Sequence, residues 1–136
     1  MNALRRETLF MVVAAVLVAS TAYALLAAED DAPYGDVSVE QAWGLIRSKP
    51  NLVVLDVRTV AEYDEGHISG ALNIPVQELE ERLGELDSSA EYLVYCRTGN
   101  RSSVAVQLMK AAGFDRVYHM SMGITAWVGA GHPVVG

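Results

Sequence analysis

Hydrophobic and polar positions divide the chain into one long apolar run followed by short, regularly punctuated segments. Residues 8–28 carry no charge over 21 positions, and 9–19 are the most apolar of them. The stretch 29–36 (EDDAPYGD) is acidic and contains Pro33 and Gly35, so it reads as a tether. Ser38 followed by Gln41 has the spacing of a capping box and predicts a helix over 39–49, which Pro50 stops. Leu52-Val53-Val54-Leu55 is a short, continuous apolar run, the mark of a strand covered on both faces. Thr59 with Glu62 repeats the capping box and predicts a short helix ending near Glu65. Gly66, Gly70 and Pro75 punctuate the next stretch, with 71–74 a brief extended piece. Val76, Leu79, Leu83 and Leu86 recur at helical spacing and predict a helix over 76–86. Tyr92-Leu93-Val94-Tyr95 is a second buried strand, ending at Cys96. A helix over 102–112 comes next, with Val104, Leu108 and Ala111 on one face and Gly113 as its C-terminal cap. A third strand is expected over 116–119 and a last short helix over 124–129. Strands alternating with helices predict an α/β fold over 37–136, a three-layer sandwich with a mostly parallel central sheet flanked by helices.

Charge and composition narrow the function. Seventeen acidic residues against ten basic ones leave a net charge of −7 and a pI near 4.8. Such a chain lacks the basic face that a nucleic-acid partner requires. The one cysteine rules out an internal disulfide framework and a Cys-rich zinc site. Arg5 and Arg6 stand just ahead of the apolar run, and small-residue sites come after it at Ala22-Tyr23-Ala24 and Leu26-Ala27-Ala28. A basic start, an apolar run and such a site describe a secretory signal. At about 1.5 Å per residue the same run could span a hydrocarbon core of roughly 30 Å, so a retained anchor is the alternative, with cleavage favoured. Either way the domain is expected to be exported, periplasmic or otherwise extracytoplasmic, touching a membrane only through residues 8–28. Without residues 1–28, the remaining 108 residues carry a net charge of −8 and are numerous enough to bury one core.

The segment Cys96-Arg97-Thr98-Gly99-Asn100-Arg101-Ser102 carries the chemistry. A buried strand delivers a cysteine at its C-terminal end, a short loop with a glycine succeeds it, and a helix starts at once. Ligands of open parallel sheets bind outside the carboxyl ends of the strands. Loop N–H groups and a helix N-terminus there favour an anion, which lowers a thiol pKa from about 8.5 into the range of roughly 3.5–7.5. Arg97 and Arg101 flank the sulfur, and Gly99 permits a backbone conformation that a Cβ would obstruct. The expected site is therefore a nucleophilic thiolate in an anion cradle. The competing reading, a buried cysteine acting as a small hydrophobe, does not account for the two arginines.

Three stretches resemble the signatures of the rhodanese domain family, in the family's order. Leu55-Asp56-Val57-Arg58, Glu62-Tyr63 and Gly66-His67-Ile68-Ser69-Gly70-Ala71-Leu72-Asn73-Ile74-Pro75 resemble its N-terminal signature. The Cys96 to Ser102 loop resembles its active-site loop, and Gly123-Ile124-Thr125-Ala126-Trp127 with Ala130-Gly131-His132-Pro133-Val134 its C-terminal signature. The family usually has a glycine pair where this chain has Met122-Gly123, which bears on the turn geometry there. The resemblance covers roughly residues 36–135 and implies thiosulfate-type sulfur transfer. The Cys96 thiolate would take the outer sulfur of a sulfane donor as a persulfide and pass it to a thiol or cyanide, a ping-pong course. Implied partners are a small sulfur-donor anion and a thiol acceptor, with a protein thiol among the options. No cofactor is called for.

Other function classes compete with this one. A non-enzymatic module could carry a persulfide to a specific partner or only dock to one. A phosphatase of related architecture needs five residues between cysteine and arginine, whereas Cys96 and Arg101 are separated by four. A reductase needs a resolving thiol, and there is no second cysteine. Asp56 and Arg58 are expected to form a polar pair that orients loops, with Arg58 also open to donor binding. His67 reads as a histidine bonded to backbone, since a thiol with a depressed pKa needs no base. His119 and His132 share no close spacing with it, so no metal site is suggested. Trp43 and Trp127 read as core aromatics. The sequon Asn100-Arg101-Ser102 is a coincidence, because a glycan there would block the loop.

Overall fold

The computed structural model describes residues 3–29 and 32–136, with the side chains of 3, 4 and 19–29 outside the description. The first unit is a helix, α1 (Ala3–Glu29). Among the described residues no helix is long and apolar enough to cross a membrane. The expected run 8–28 continues into side chains that are not described. The cleavage sites at Ala22-Tyr23-Ala24 and Leu26-Ala27-Ala28, and Asp30 and Asp31, likewise fall outside the described side chains.

The second unit, Pro33–Gly136, is built on five parallel strands. These are β1 (Gly35–Val37), β2 (Val53–Asp56), β3 (Leu72–Asn73), β4 (Tyr92–Tyr95) and β5 (Val117–Met120), in the order β1-β5-β4-β2-β3. The helices between them are α2 (Val39–Ser48), α3 (Val60–Glu65), α4 (Val76–Arg82), α5 (Asn100–Ala111) and α6 (Gly123–Gly129). Helix α4 packs against α5, and α2 against α6, so the sheet is flanked by helices as the alternating pattern requires. Every residue of β4 and β5 is buried, as central parallel strands are when both faces are covered. Side chains alternate along a strand. Tyr92, Val94 and Cys96 therefore join Leu79, Ala105 and Met109 in one core cluster, while Leu93 and Tyr95 face the other way.

Local chemistry sets the element ends. Both capping boxes form reciprocally. The Ser38 hydroxyl accepts from Gln41 N–H while Gln41 accepts from Ser38 N–H, and Thr59 and Glu62 do the same at α3. The helix expected over 76–86 is α-helical only to Arg82, and Leu83–Glu85 tightens into a 3₁₀ turn around Gly84, a poor helix former. The tether expected over 29–36 ends early, because Gly35 and Asp36 pair with Tyr118 and His119 at the sheet edge. Three residues of Gly-Asp-Val carry too little apolar pattern to announce a strand.

The phase of α5 is a correction. The helix begins at Asn100, and its buried stripe is Ser102, Ala105 and Met109. Val104 is exposed (52%) and Ala111 lies outside, although Leu108 does pack on the core. A serine takes the innermost first-turn position because its hydroxyl finds partners there. Met109→Ala should therefore lower unfolding free energy by about 2–5 kcal/mol, whereas Val104→Ala should change it by roughly 0.5 kcal/mol or less. Urea denaturation of the two variants checks the phase directly.

Candidate active site

Strand β4 ends at Tyr95 and delivers Cys96, 1% exposed, into a loop that turns at once into α5. Gly99 is the N-cap of α5 with φ +105°, and its N–H donates to Cys96 Sγ at 3.1 Å. A Cβ on Gly99 would lie 2.1 Å from the Ser121 carbonyl oxygen, so the position admits glycine alone. The loop is seated on the start of α6. Ile124 N–H donates to Cys96 O at 2.9 Å, and Thr125 N–H to Arg97 O at 3.2 Å. Gly123 makes that seat possible, with φ +71° and a Cβ position 2.1 Å from Arg97 O. Its neighbour Met122 has ordinary right-handed backbone and is 63% exposed, so the departure from a glycine pair leaves the turn intact.

The Cys96 thiol is pulled in two directions. Burial pushes its pKa up, the largest single influence, but hydrogen bonds from Ser102 and from the backbone N–H groups of Gly99 and Thr98 together bring it below the ordinary thiol value. Ser102 Oγ lies 3.2 Å from Sγ. The two loop arginines act differently from the flanking pair that their spacing suggests. Arg101 forks onto Glu62 at 2.7 and 2.9 Å, while Arg97 is exposed. The loop also contains Thr98, which is exposed like Asn100.

Around the loop stands a buried ionic frame. Asp56 is fully buried and Arg58 is 5% exposed. Arg58 Nε donates to both Asp56 oxygens, and Nη2 donates to Asp56 Oδ2 at 2.6 Å and to Gly66 O at 2.7 Å. Asn73 Nδ2 bonds Asp56 O and Arg58 O, tying β3 to the same corner. The pair thus joins the end of β2 to the loop after α3, and Arg58 also lines a cleft of about 360 Å³ beside the site. Arg97, Glu62, Ile124 and Val128 contribute to its wall. His67 stacks on Tyr63 at 3.6 Å, places Nδ1 2.8 Å from Tyr63 O and pairs its backbone with Val135. Trp127 is fully buried, and Trp43 packs edge-on against it.

One polar neighbour of the loop is not legible in the sequence. His119 of β5 is buried, with Nε2 2.7 Å from Ser102 Oγ and Nδ1 2.8 Å from Asp36 Oδ1. A histidine inside an otherwise apolar strand is the one available signal. Among the described residues no cluster of potential metal ligands occurs.

A model of the rhodanese-like domain matches residues 38–130. The chain belongs to the rhodanese-like domain family. Within it, the chain is 36% identical over 94 residues to a putative sulfur carrier protein of Bacillus subtilis, YrkF. That match covers 69% of this chain and 51% of the carrier, so the chain spans about half the length of that relative. It is 35% identical over 100 residues to the thiosulfate sulfurtransferase GlpE of Coxiella burnetii, covering 74% of this chain and 92% of that protein. The crystal structure of a rhodanese-related protein from Thermoplasma volcanium superposes with a TM-score of 0.69 at 33% identity, covering 75% of this chain and 98% of the other.

In this rhodanese-like domain the Glu62–Arg101 pair should mark acid stability. The Arg101 guanidinium holds the Glu62 carboxyl at about 2, down from 4.5. A depressed folded-state pKa contributes stability above the unfolded value and loses it as pH falls. The melting-temperature gap between wild type and Glu62→Gln should therefore be full above pH 4.5 and shrink between 4.5 and about 2. A gap independent of pH contradicts the pairing.

Proposed function

We propose that the protein is a sulfurtransferase that moves sulfane sulfur through a persulfide on Cys96, with thiosulfate as donor and a thiol or cyanide as acceptor. The observation that carries this reading is Cys96 Sγ at the end of β4, accepting the Gly99 N–H and touching the Ser102 hydroxyl. A thiolate so held is a nucleophile, and the same donors can stabilise the anionic persulfide that replaces it. In the first half-reaction the thiolate attacks the outer sulfur of thiosulfate. A Cys96 S–S bond forms, the bond to the sulfonate sulfur breaks, and sulfite departs with that electron pair. In the second, the acceptor attacks the outer persulfide sulfur and Cys96 leaves as thiolate, so no external oxidant or reductant is consumed. Arg97, exposed on the cleft wall beside Arg58, meets the incoming anion.

Relatives named a sulfurtransferase and a putative sulfur carrier support sulfur transfer as the common chemistry. The carrier reading keeps the persulfide and replaces the small acceptor with a protein thiol. A phosphatase is disfavoured because the loop places four residues between Cys96 and Arg101, and Arg101 is engaged by Glu62. The basic start and apolar run of the first 28 residues support an exported location, which fractionation of the expressing cells would check.

Steady-state kinetics with thiosulfate and cyanide test the proposal. Parallel double-reciprocal lines, no turnover in Cys96→Ala and a KM for thiosulfate raised roughly tenfold in Arg97→Ala are expected, the last corresponding to one lost charge-assisted contact. No thiocyanate from thiosulfate, together with uptake of sulfur from a persulfide donor, would replace the enzyme with the carrier.

A further inference from the structure

Four side chains from four segments form a continuous row ending on the reactive sulfur. Asp36 of β1 and His119 of β5 are register partners across the sheet. Asp36 Oδ1 lies 2.8 Å from His119 Nδ1, His119 Nε2 lies 2.7 Å from Ser102 Oγ, and Ser102 Oγ lies 3.2 Å from Cys96 Sγ. The inner three members are buried, whereas the Asp36 side chain is 75% exposed.

Counting protons along the row defines two states. A carboxylate only accepts, so His119 Nδ1 carries a proton toward Asp36. If the ring is neutral, Nε2 is an acceptor. The single Ser102 hydroxyl proton then goes to Nε2 or to Gly99 O, 3.1 Å away, and the sulfur keeps its own proton pointed at Oγ. If the ring is charged, Nε2–H donates to Oγ, which frees the hydroxyl proton to point at a sulfur anion. The two states differ only by one place along the row.

We propose that Cys96 becomes a thiolate by passing its proton through the Ser102 hydroxyl to His119, with Asp36 holding the resulting imidazolium. The S–H bond breaks as a new Oγ–H bond forms, and the original Oγ–H bond breaks as Nε2–H forms. Nothing is oxidised or reduced. With a neutral ring, a Ser102 hydroxyl turned to the thiolate leaves Oγ and Nε2 facing each other at 2.7 Å as two acceptors, so protonation of His119 favours the Ser102 hydrogen bond to the sulfur anion. His119 and Asp36 touch no sulfur and are positioning residues acting through Ser102. The surrounding elements carry Arg101 paired with Glu62 on α3, Arg97 in the loop, the Asp56–Arg58 pair at the end of β2, and Glu40 on α2 with His132 beyond α6, besides Arg47 on α2, Asp64 and Glu65 on α3 and Lys110 on α5. The carboxylate that bonds the His119 ring is that of Asp36.

The inference rests on Cys96 being the thiol of the proposed sulfur transfer, and its test needs no sulfur donor, so the two can fail separately. The rate of Cys96 alkylation by iodoacetamide is followed against pH in the full chain, His119→Gln and Asp36→Asn. Wild type should react with two coupled ionisations and retain its rate well below the ordinary thiol range near pH 8.5. His119→Gln keeps a hydrogen-bonding side chain but cannot take the proton, and should lose roughly tenfold in rate near pH 6, rising with a single ionisation toward the ordinary thiol value. Asp36→Asn alters an exposed side chain, so folding is not at stake, and should lose several-fold in the same direction. Nitrogen-15 NMR of the His119 ring supplies a second readout: an imidazolium in wild type at neutral pH and a neutral ring in Cys96→Ala. Unchanged alkylation profiles in both variants, or a neutral ring in the presence of the thiolate, would overturn the proposal.

Discussion

A thiol that is 1% exposed must carry negative charge to attack sulfur, and burial opposes that charge. Much of the domain's architecture answers this one constraint. The donors that stabilise the anion are backbone groups whose direction is set by the chain path, so the path itself has to be held. Gly99 bends the loop until its N–H meets Sγ, and Gly123 lets Arg97 O approach the start of α6. A Cβ at either position would sit 2.1 Å from a carbonyl oxygen. Preorganised dipoles of this kind cost no rearrangement when charge develops, so they suit a thiolate and would suit equally the persulfide of the proposed transfer.

The ionic groups nearby are paired in ways that keep the cradle from being neutralised or pulled apart. Asp56 is fully buried, and left without a partner its charge would be costly. Arg58 engages both its oxygens and also reaches Gly66 O, so the same pair that satisfies the carboxylate pins the loop after α3. Glu62 has a comparable double duty. It caps α3 through Thr59 and orders Arg101 at the far end of the loop, which converts a flexible cation into a fixed one. Arg97 is left on the cleft wall as the exposed cation of the loop.

The parts of this arrangement that depend on neighbours in sequence are readable from sequence. Ser38 with Gln41 and Thr59 with Glu62 cap helices because a capping box is complete within four consecutive residues. Tyr92-Leu93-Val94-Tyr95 is a buried strand because no charged residue interrupts it, and Cys96 at its end inherits the site position. What depends on partners far along the chain is not readable. Ser102 looks like a helix-starting residue until its hydroxyl is seen between Cys96 and His119. Without those partners the apolar pattern places the inner face of α5 on Val104. His119 is 17 residues from Ser102 and 83 from Asp36, and β1, which brings Asp36 into register, is too short to show a period. Arg101 is legible as a loop cation, but its engagement by Glu62, 39 residues away, is not.

In the proposed reaction Cys96 stores sulfur covalently as an anion. Intact-mass spectrometry of the protein after incubation with thiosulfate, beside Cys96→Ser, tests it most directly. Wild type alone should gain one sulfur atom, and cyanide should remove it with release of thiocyanate. No adduct on a folded protein with a free thiol, or an equal gain on Cys96→Ser, would contradict it.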